Sequence, residues 1–493
     1  MRRNLADLTH RDADWAGLRV LVAGVGVSGF AAADTLADRG ARLLVVDGQT
    51  LQPGSAAEQR ATLLSLLDVE VRTGPDAAAA LPAGREFDLV VTSPGWRPDQ
   101  PMLAAAARDG IPVWGEVELA WRMRPAEGAA PWLTITGTNG KTTTVQMLAS
   151  ILRAAGLRAT SAGNVGTPIL DVVVDPEPYD VVAVELSSFQ LHWTHSISPL
   201  ASACLNIAPD HLDWHGSAEA YWQAKARVYE RTQRACVYNV ADDETRRMVE
   251  QAEVVEGARA IGFTTGVPGV SMLGVVDDVL ADRAFVAERQ TMAAELGTLA
   301  DLARGGLPPA PHVVANALAA AALARTYGVP PVAVRDGLRA FVPEPHRMAA
   351  VAEVGEVRYV DDSKATNPHA AQASLQAFDP VVWIAGGLLK GADIDPLVAD
   401  IGGRLRGVVL LGADRRLIAQ SLARHAPEVP VVEVSDTDTG AMDRVVSAAA
   451  SLARPGDVVL LAPAGASMDM FANYGARGDA FARAVHALRD SAE

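Results

Sequence analysis

Cysteine is nearly absent from this chain of 493 residues, which holds only Cys204 and Cys236. Both lie in apolar, strand-like stretches, so we interpret them as buried packing residues. The sequence has no Cys-x-x-Cys pair and no zinc-ligand spacing. It therefore indicates neither a disulfide framework nor a zinc site.

Positive charge is in deficit. Lys and Arg number 43 against 59 Asp and Glu, for a net charge of −16. Nucleic-acid binding needs clustered Lys and Arg to contact phosphates, so the chain is a poor candidate for a general nucleic-acid-binding protein. Acidity on this scale still allows local basic pockets for phosphorylated substrates.

Long uncharged apolar runs are also missing. A membrane-spanning helix needs about 18 or more consecutive apolar residues, and the sequence has no such run. The two N-terminal arginines are not followed by the apolar segment of a signal peptide. We therefore expect a cytoplasmic protein that does not span a membrane.

Apolar residues make up 49% of the chain, enough for several cores. β-like runs alternate with Ala-rich helical runs, which predicts an α/β fold with parallel sheets. The length favours two to four domains. Breaks in periodicity predict three blocks, residues 1–121, 122–342 and 343–493, and residues 264–305 carry no chemical motif.

The most informative segment reads LTITGTNGKTTT, at residues 133–144. A predicted strand leads into Gly137–Gly140, and Lys141, Thr142 and Thr143 open a predicted helix. Glycines let backbone N–H groups approach phosphates, Lys141 offers a charge to the terminal phosphates, and Thr142 offers a hydroxyl to Mg²⁺. Ile135 replaces the first glycine of the usual phosphate-loop pattern. A strand-to-helix turn without a ligand is the alternative, but we favour an ATP-binding loop.

The first block contains Gly24-x-Gly26-x-x-Gly29 after a predicted strand, with Asp47 at the end of the next one. This pattern is typical of a dinucleotide-binding turn, so a dehydrogenase is one hypothesis and a turn without a ligand is another. A hydride-transfer enzyme has no use for the phosphate loop of the second block. We therefore favour another pyrophosphate ligand, such as a nucleotide-sugar, with Gly95 at the same sheet edge.

Candidate metal ligands follow in the second block. Glu185 ends a predicted buried strand, where a carboxylate suits Mg²⁺ or merely caps the strand. Asp210, His211, Asp213 and His215 form a dense run of oxygen and imidazole groups. From the sequence alone, Lys225 is a surface lysine on a helix.

The third block places three polar loops after predicted strands, at residues 360–370, 386–391 and 462–478. Ligands bind at the carboxyl edge of open α/β sheets. Loops rich in Lys, Ser and Asn at that edge indicate an anionic ligand.

Taken together, these motifs resemble the Mur ligases. The matching segments run in order from Gly24 to Gly478: GVGVSG, SPG, TGTNGKTT, GNVG, ELSSFQL, DHLD, PHR, DSKATN, GGLLKG and ASMDMF followed by RG. ELSSFQL and DSKATN resemble the member that adds D-glutamate. A related Mur ligase, or a folylpolyglutamate synthase-like ligase using another amino acid, is the alternative. A nucleotide-sensing module with an inactive ATPase is a further one.

The resemblance implies a Rossmann-like N-terminal domain that binds a UDP-sugar, a central P-loop ATPase-like domain with a parallel sheet, and a Rossmann-like C-terminal domain that binds the amino acid. It implies a monomer that uses ATP and Mg²⁺ to join D-glutamate to UDP-N-acetylmuramoyl-L-alanine through an acyl phosphate.

The resemblance also implies roles for individual residues. The catalytic residues are Lys141, Asn164, His211 and Lys225. The metal ligands are Thr142, Glu185, His211 and Lys225, the last as a carbamate. The ATP-binding residues are Gly137, Thr138, Asn139, Gly140, Lys141, Thr142, Thr143, Asn316, His346, Arg347, Lys364 and Thr366. The UDP-substrate residues are Val27, Ser28, Asp47, Gly95, Asn164, Ser187 and Gln190. The D-glutamate residues are Lys390, Ser467, Met468 and Tyr474.

The sequence departs from the family pattern in a few places. Gly48 and Gln49 follow Asp47 where some relatives have Thr-Arg. Val313 occupies the position at which a relative has an Asn that contacts adenine. Tyr474 replaces a Phe and Met468 replaces a Leu, and both replacements suit an apolar wall.

Overall fold

The fold is described from a computed structural model, for residues 3–304, 308–435 and 440–492. The chain divides into two compact units. The first is drawn from Met1–Val276, Leu280–Leu296 and Asn316–Leu338, and the second from Asp277–Val279, Gly297–Ala315 and Arg339–Glu493.

The N-terminal part of the first unit is a parallel sheet of five strands in the order β3-β2-β1-β4-β5. Its elements are β1 (Arg19–Ala23), α1 (Val27–Asp38), β2 (Arg42–Asp47), α2 (Ala56–Leu66), β3 (Glu70–Thr73), β4 (Leu89–Thr92), α3 (Pro101–Arg108), β5 (Val113–Gly115) and α4 (Glu116–Arg122).

Strand β1 is the switch point of this sheet, since β2 and β4 pair with it in parallel on opposite sides. The turn after β1 is tight because α1 packs close to it. A Cβ added to Gly29 would lie 1.9 Å from the carbonyl oxygen of Gly24. The crevice outside the carboxyl ends of β1 and β4 is where an α/β sheet of this kind binds a ligand.

The central part is built on a second sheet, in the order β14-β13-β12-β11-β10-β9-β6-β8-β7. Its elements are β6 (Trp132–Thr136), α5 (Lys141–Ala154), β7 (Ala159–Gly163), α6 (Ile169–Val174), β8 (Val181–Glu185), α7 (Ser188–His192), β9 (Ala201–Cys204), α8 (Leu212–His215), α9 (Ala218–Ala226), β10 (Ala235–Asn239), α10 (Asp243–Glu250), β11 (Arg259–Phe263), β12 (Met272–Val276), β13 (Val279–Asp282), β14 (Ala294–Thr298), α11 (Leu299–Leu302), α12 (Pro311–Tyr327) and α13 (Pro331–Ala340).

Strand β6 lies between β8 and β9 and pairs with both in parallel. All five residues of β6 and of β8 are buried. The loops that follow β6, β8 and β9 therefore meet at one edge of the sheet, and they begin at Gly137, Leu186 and Leu205.

The C-terminal sheet, in the second unit, has the order β15-β16-β20-β17-β18-β19. Its elements are β15 (Ala349–Val354), β16 (Val357–Asp361), α14 (Pro368–Leu375), β17 (Val381–Gly386), α15 (Asp395–Ile401), β18 (Leu405–Leu411), α16 (Arg415–His425), β19 (Val431–Glu433), α17 (Ala441–Leu452), β20 (Val458–Ala464) and α18 (Tyr474–Ala492).

The predicted α/β fold with parallel sheets is confirmed, although not every pair of neighbouring strands is parallel. Strand β15 runs antiparallel to β16, with a bulge between Ala350 and Ala352. The turn between these strands is only Gly355 and Glu356, which is too short for a parallel crossover. The predicted strands before the three polar loops are β16, β17 and β20, which are neighbours in the sheet.

Both cysteines are buried, Cys204 in β9 and Cys236 in β10, as predicted. Across the described ranges, every helix is too short or too polar to cross a bilayer.

Candidate active site

The loop after β6 reverses the chain through two glycines with positive φ, Gly137 at 151° and Gly140 at 84°. Asn206 holds the loop from the neighbouring strand end. The backbone N–H of Asn139 donates to Asn206 Oδ1 at 2.9 Å, and Asn206 Nδ2 donates to the carbonyl oxygen of Asn139 at 3.1 Å. Helix α5 then begins at Lys141 and includes Thr142 and Thr143, so its N-terminal N–H groups lie next to the loop.

Two lysines converge on one carbonyl group. Lys141 Nζ donates to the oxygen of Gly137 at 2.9 Å, and Lys225 Nζ donates to the same oxygen at 2.8 Å. Lys141 Nζ also donates to the carbonyl oxygen of Thr138 at 2.9 Å, so it lies folded over its own loop. Two positive side chains therefore meet where phosphate charge is expected.

Lys225 is buried, with 2% of its surface exposed, against the surface position that the sequence alone favours. Helix α9 turns it inward beside Tyr221, whose ring centroid lies 5.0 Å from Nζ. Burial and then the charge of Lys141 lower the pKa of Lys225 to about 7. The amine is thus divided between its neutral and charged forms near neutral pH.

Glu185, at the end of β8, is 1% exposed. Its Oε1 accepts a hydrogen bond of 2.9 Å from Asn164 Nδ2, while its Oε2 is buried without a hydrogen-bond partner among the described residues. A buried carboxylate oxygen without a donor is a group that a hard cation such as Mg²⁺ satisfies. The residues at this edge therefore fit a magnesium ion.

The run from Asp210 to His215 does not gather into one metal site. His211 has φ 51°, and its Nε2 lies 3.6 Å from Asp210 Oδ2, whereas His215 Nε2 pairs with Ser188 Oγ at 2.9 Å. Among the described residues, no group of three or more His, Cys, Asp or Glu side chains is placed to hold a metal. Mg²⁺ is commonly held by one or two carboxylates together with phosphates and water, so this finding does not remove the Glu185 site.

Asn316, on α12, lies directly over the phosphate loop. A Cβ added to Gly140 would lie 2.5 Å from Asn316 Oδ1. The side chain is 6% exposed, and its position belongs to the first unit. The other predicted ATP-binding residues, His346, Arg347, Lys364 and Thr366, belong to the second unit.

In the N-terminal part, Asp47 braces the glycine-rich turn. Its Oδ2 accepts from the N–H of Val25 and its Oδ1 from the N–H of Gln49, both at 2.9 Å. Val27 is 54% exposed at the start of α1, next to the half-buried Ser28. Gly95 is exposed after β4, on the strand that neighbours β1.

Ser187 and Gln190 form a capping box at the start of α7. The N–H of Gln190 donates to Ser187 Oγ at 3.2 Å, and the N–H of Ser187 donates to Gln190 Oε1 at 3.0 Å. These two predicted UDP-substrate residues are thus brought together, just after Glu185.

In the second unit, Arg477 joins the polar loops that follow β16 and β20. It is 1% exposed, and it donates to Ser363 Oγ at 3.0 Å, to the carbonyl oxygen of Ser363 at 2.9 Å and to that of Gly465 at 3.0 Å. The loop after β17 is tied to the loop after β20 because Leu388 and Ala466 exchange backbone hydrogen bonds of 2.8 and 2.9 Å. The three predicted anion-binding loops therefore form one cluster.

Lys364 and Tyr474 meet in this cluster, with Lys364 Nζ 3.9 Å from the ring centroid of Tyr474. The N–H of Thr366 donates to the carbonyl oxygen of Lys364 at 2.8 Å. Lys390 is exposed with φ 54°, Met468 is 75% exposed, and Ser467 is buried.

His346 pairs with Asp361 at the end of β16, and its Nδ1 lies 2.6 Å from Asp361 Oδ2. The neighbouring Arg347 donates from Nε to Glu344 Oε2 at 3.2 Å.

Comparison with known proteins identifies the family. The N-terminal residues 18–115 match the model for the Mur ligase MurD-like N-terminal domain, residues 135–324 match the Mur ligase middle domain, and residues 346–465 match the Mur ligase glutamate ligase domain. Over 96% of its length, the chain is 60% identical to the UDP-N-acetylmuramoylalanine–D-glutamate ligase of Streptomyces avermitilis, covering 99% of that protein. This chain belongs to the Mur ligase family.

Other relatives agree. The protein of the same name from Leifsonia xyli is 54% identical over 98% of this chain and 95% of its own length. Among solved structures, the UDP-N-acetylmuramate-alanine ligase of Thermotoga maritima is similar with a TM-score of 0.53 and 19% identity, covering 96% of this chain and 100% of that one. The latter similarity shows the fold alone. The three-domain Mur ligase fold expected from the sequence is thus confirmed.

Sequence reasoning missed two residues that shape this Mur ligase site. Asn206 pairs with Asn139, and the hydroxyl of Tyr221 lies 2.9 Å from Thr138 Oγ1. Both had a signal. Asn206 follows β9, whose carboxyl end is at the same edge as β6. Tyr221 precedes Lys225 by four positions, which places both on one face of α9.

We predict that Gly140→Ala abolishes most ATP binding by this Mur ligase. The added Cβ collides with Asn316 at a residue with φ 84°. Gly156→Ala is the matched control, since Gly156 has φ 81°, lies just beyond the end of α5, and has no atom within 4 Å of an added Cβ.

Both variants should lose about 1–2 kcal/mol of unfolding free energy from left-handed strain. Calorimetric titration with ATP should show at least about tenfold weaker binding for Gly140→Ala and no change for Gly156→Ala, since about 1.4 kcal/mol corresponds to tenfold. Equal ATP affinity in the two variants would contradict the assigned role of the loop.

Proposed function

We propose that this chain is an ATP-dependent ligase that joins D-glutamate to UDP-N-acetylmuramoyl-L-alanine, a step in the synthesis of peptidoglycan precursors. The observation that carries the proposal is near-full-length identity of 54–60% with Mur ligases of that name. The convergence of Lys141, Lys225 and Glu185 at one sheet edge supports it, because this edge can hold both phosphate and a cation.

The proposed reaction has two steps. An oxygen of the alanyl carboxylate bonds to the γ-phosphorus of ATP, and the bond from that phosphorus to the bridging oxygen breaks as ADP leaves. The amine of D-glutamate then bonds to the acyl carbon of the acyl phosphate. A tetrahedral intermediate collapses, the bond to phosphate breaks, and the nitrogen loses a proton.

The first step brings two anions together, so the protein must offset their repulsion. Lys141 and the N–H groups at Gly137–Thr143 are the residues that would bind the phosphates. Mg²⁺, when bound, supplies positive charge that stabilises the phosphate oxygens. Thr142, Glu185, His211 and Lys225 are the side chains we assign to hold it.

We further propose that Lys225 acts as a carbamate. In the neutral form, its amine bonds to the carbon of CO₂ and releases a proton, which replaces a cation with an oxygen-donor anion. Three features support this step: burial of the amine, a pKa lowered to about 7, and the closeness of Lys141. Carbamylation turns a repulsion between two ammonium groups into an attraction.

The UDP-sugar is assigned to Val27, Ser28, Asp47 and Gly95 in the N-terminal domain. We assign three residues near Glu185 to the muramoyl end of the same substrate. Ser187 and Gln190 follow Glu185 closely in the sequence, and Asn164 forms a hydrogen bond with it. Asn164 donates to Glu185 and can orient the reacting carboxylate relative to the cation.

The second substrate is assigned to the C-terminal loops. Lys390 offers charge to the carboxylates of D-glutamate, with Ser467, Met468 and Tyr474 forming the rest of the pocket. We assign Asn316, His346, Arg347, Lys364 and Thr366 to the base and phosphates of ATP.

We propose the domain boundaries 1–121, 122–342 and 343–493. We also propose that the protein acts as a monomer in the cytoplasm, because its substrates are ATP, an amino acid and a UDP-linked precursor. Each assigned pocket draws its residues from this one chain.

The proposed function is tested by phosphate release from ATP with Mg²⁺, UDP-N-acetylmuramoyl-L-alanine and a panel of amino acids. Release with D-glutamate alone, and a product heavier by one glutamyl residue in mass spectrometry, is the expected result. Release with a different amino acid would keep the family and overturn the substrate. No release with any amino acid from folded protein, with bicarbonate added, would overturn the ligase assignment.

We predict that Lys225→Met lowers kcat at least about a hundredfold, because the variant keeps the apolar stem and loses the carbamate that binds the cation. In the wild type, removal of CO₂ should lower the rate and bicarbonate should restore it. The variant should not respond to bicarbonate. If the wild-type rate does not change in a buffer shown to be free of CO₂, that result would count against the carbamate.

A further inference from the structure

Glu118, on α4, is a buried carboxylate with 0% of its side chain exposed. It has no assigned role in the reaction. Both of its oxygens are fully used, since Oε1 accepts from Ser196 Oγ at 2.6 Å and from Arg122 Nε at 2.7 Å. Oε2 accepts from the backbone N–H groups of His195 and Ser196, at 2.7 and 2.9 Å.

These contacts join two domains within the first unit. Glu118 lies on α4 in the N-terminal domain, and Arg122 is the last residue of the same helix, whereas His195 and Ser196 follow α7 in the central domain. Burial alone would raise the pKa of Glu118, but the hydrogen bonds from Ser196 and His195 lower it below the ordinary value. The group is therefore ionised at neutral pH.

Neighbouring contacts hold the same segment. The N–H of Gly115 donates to the carbonyl oxygen of Trp193 at 3.2 Å, and His195 Nε2 lies 2.9 Å from the carbonyl oxygen of Val113. Arg122 continues the network, with Nη1 donating to the carbonyl oxygens of Leu5 and Leu8 at 3.3 and 3.1 Å.

The segment held by Glu118 follows the far end of α7, the helix that Ser187 caps and that carries Gln190. Helix α7 has only five residues, Ser188–His192, and the capping box makes its start rigid. Its orientation is therefore fixed at two points, by β8 on one side and by the contacts of residues 193–196 on the other. A helix this short has little stability of its own.

We propose that Glu118 is a positioning residue for the UDP-linked substrate: it sets the placement of α7, with Ser187 and Gln190, relative to the glycine-rich turn of the N-terminal domain. This inference rests on the proposed function. One substrate must contact both places at once, so a shift of about 1 Å between them weakens its binding more than that of ATP.

The test compares Glu118→Gln with a matched control. Every acceptor position of Glu118 faces a donor, so the NH₂ group of glutamine meets N–H or O–H donors in either orientation. Asp282→Asn is the control, because Asp282 is also 0% exposed, accepts from Arg325 Nε at 2.9 Å, and accepts from the N–H groups of Ala284 and Phe285 at 2.7 and 2.9 Å. None of these partners belongs to an assigned substrate site.

We expect both variants to melt at lower temperature. Only Glu118→Gln should raise the dissociation constant and the KM for UDP-N-acetylmuramoyl-L-alanine, by about tenfold, with KM for ATP within about twofold of the wild type. Binding is measured by calorimetry without ATP or D-glutamate, and KM by phosphate release. Ser196→Ala removes a single side-chain donor and should raise the dissociation constant for the UDP-substrate about threefold. This variant provides the test if Glu118→Gln does not fold.

Two outcomes overturn the inference alone, both in the case that the wild type binds the UDP-substrate. In the first, Glu118→Gln or Ser196→Ala binds this substrate as tightly as the wild type does. In the second, Asp282→Asn loses as much affinity for it as Glu118→Gln does. A wild type that does not bind this substrate overturns the proposed function and the inference together.

Discussion

The carbonyl oxygen of Gly137 is the point on which the site depends, because the ammonium groups of Lys141 and Lys225 both donate to it. One lysine comes from the loop itself and the other from α9. Burial, and then the closeness of Lys141, lowers the pKa of Lys225 to about 7. A polar edge that concentrates positive charge in this way can bind phosphate.

The parallel sheets make this concentration possible. Because β8, β6 and β9 are neighbours, Glu185, the phosphate loop and Asn206 arrive at one edge from distant parts of the sequence. The same rule gathers the loops after β16, β20 and β17 in the C-terminal domain, where Arg477 and paired backbone bonds hold them together. In both places, the strands supply position and the loops supply chemistry.

Much of this arrangement could be predicted from the sequence. Strand patterns and glycines predicted the sheets and the turn from β6 into α5, since both signals are local. Lys225 shows the limit: a lone lysine on a helix reads as exposed, and only the family resemblance indicated otherwise. Its burial depends on how α9 packs against the loop after β6. The run Asp210–His215 shows another limit, because residues close in sequence differ in their polar contacts: His211 lies near Asp210, whereas His215 pairs with Ser188.

In the proposed reaction, the alanyl carboxylate attacks the γ-phosphorus of ATP at this lysine-rich edge. The attack can be followed with UDP-N-acetylmuramoyl-L-alanine carrying ¹⁸O in both oxygens of the alanyl carboxylate, in the presence of ATP, Mg²⁺ and D-glutamate. Mass spectrometry of the released phosphate should show one ¹⁸O atom for each phosphate formed. Phosphate without ¹⁸O, formed together with the ligated product, would contradict the account.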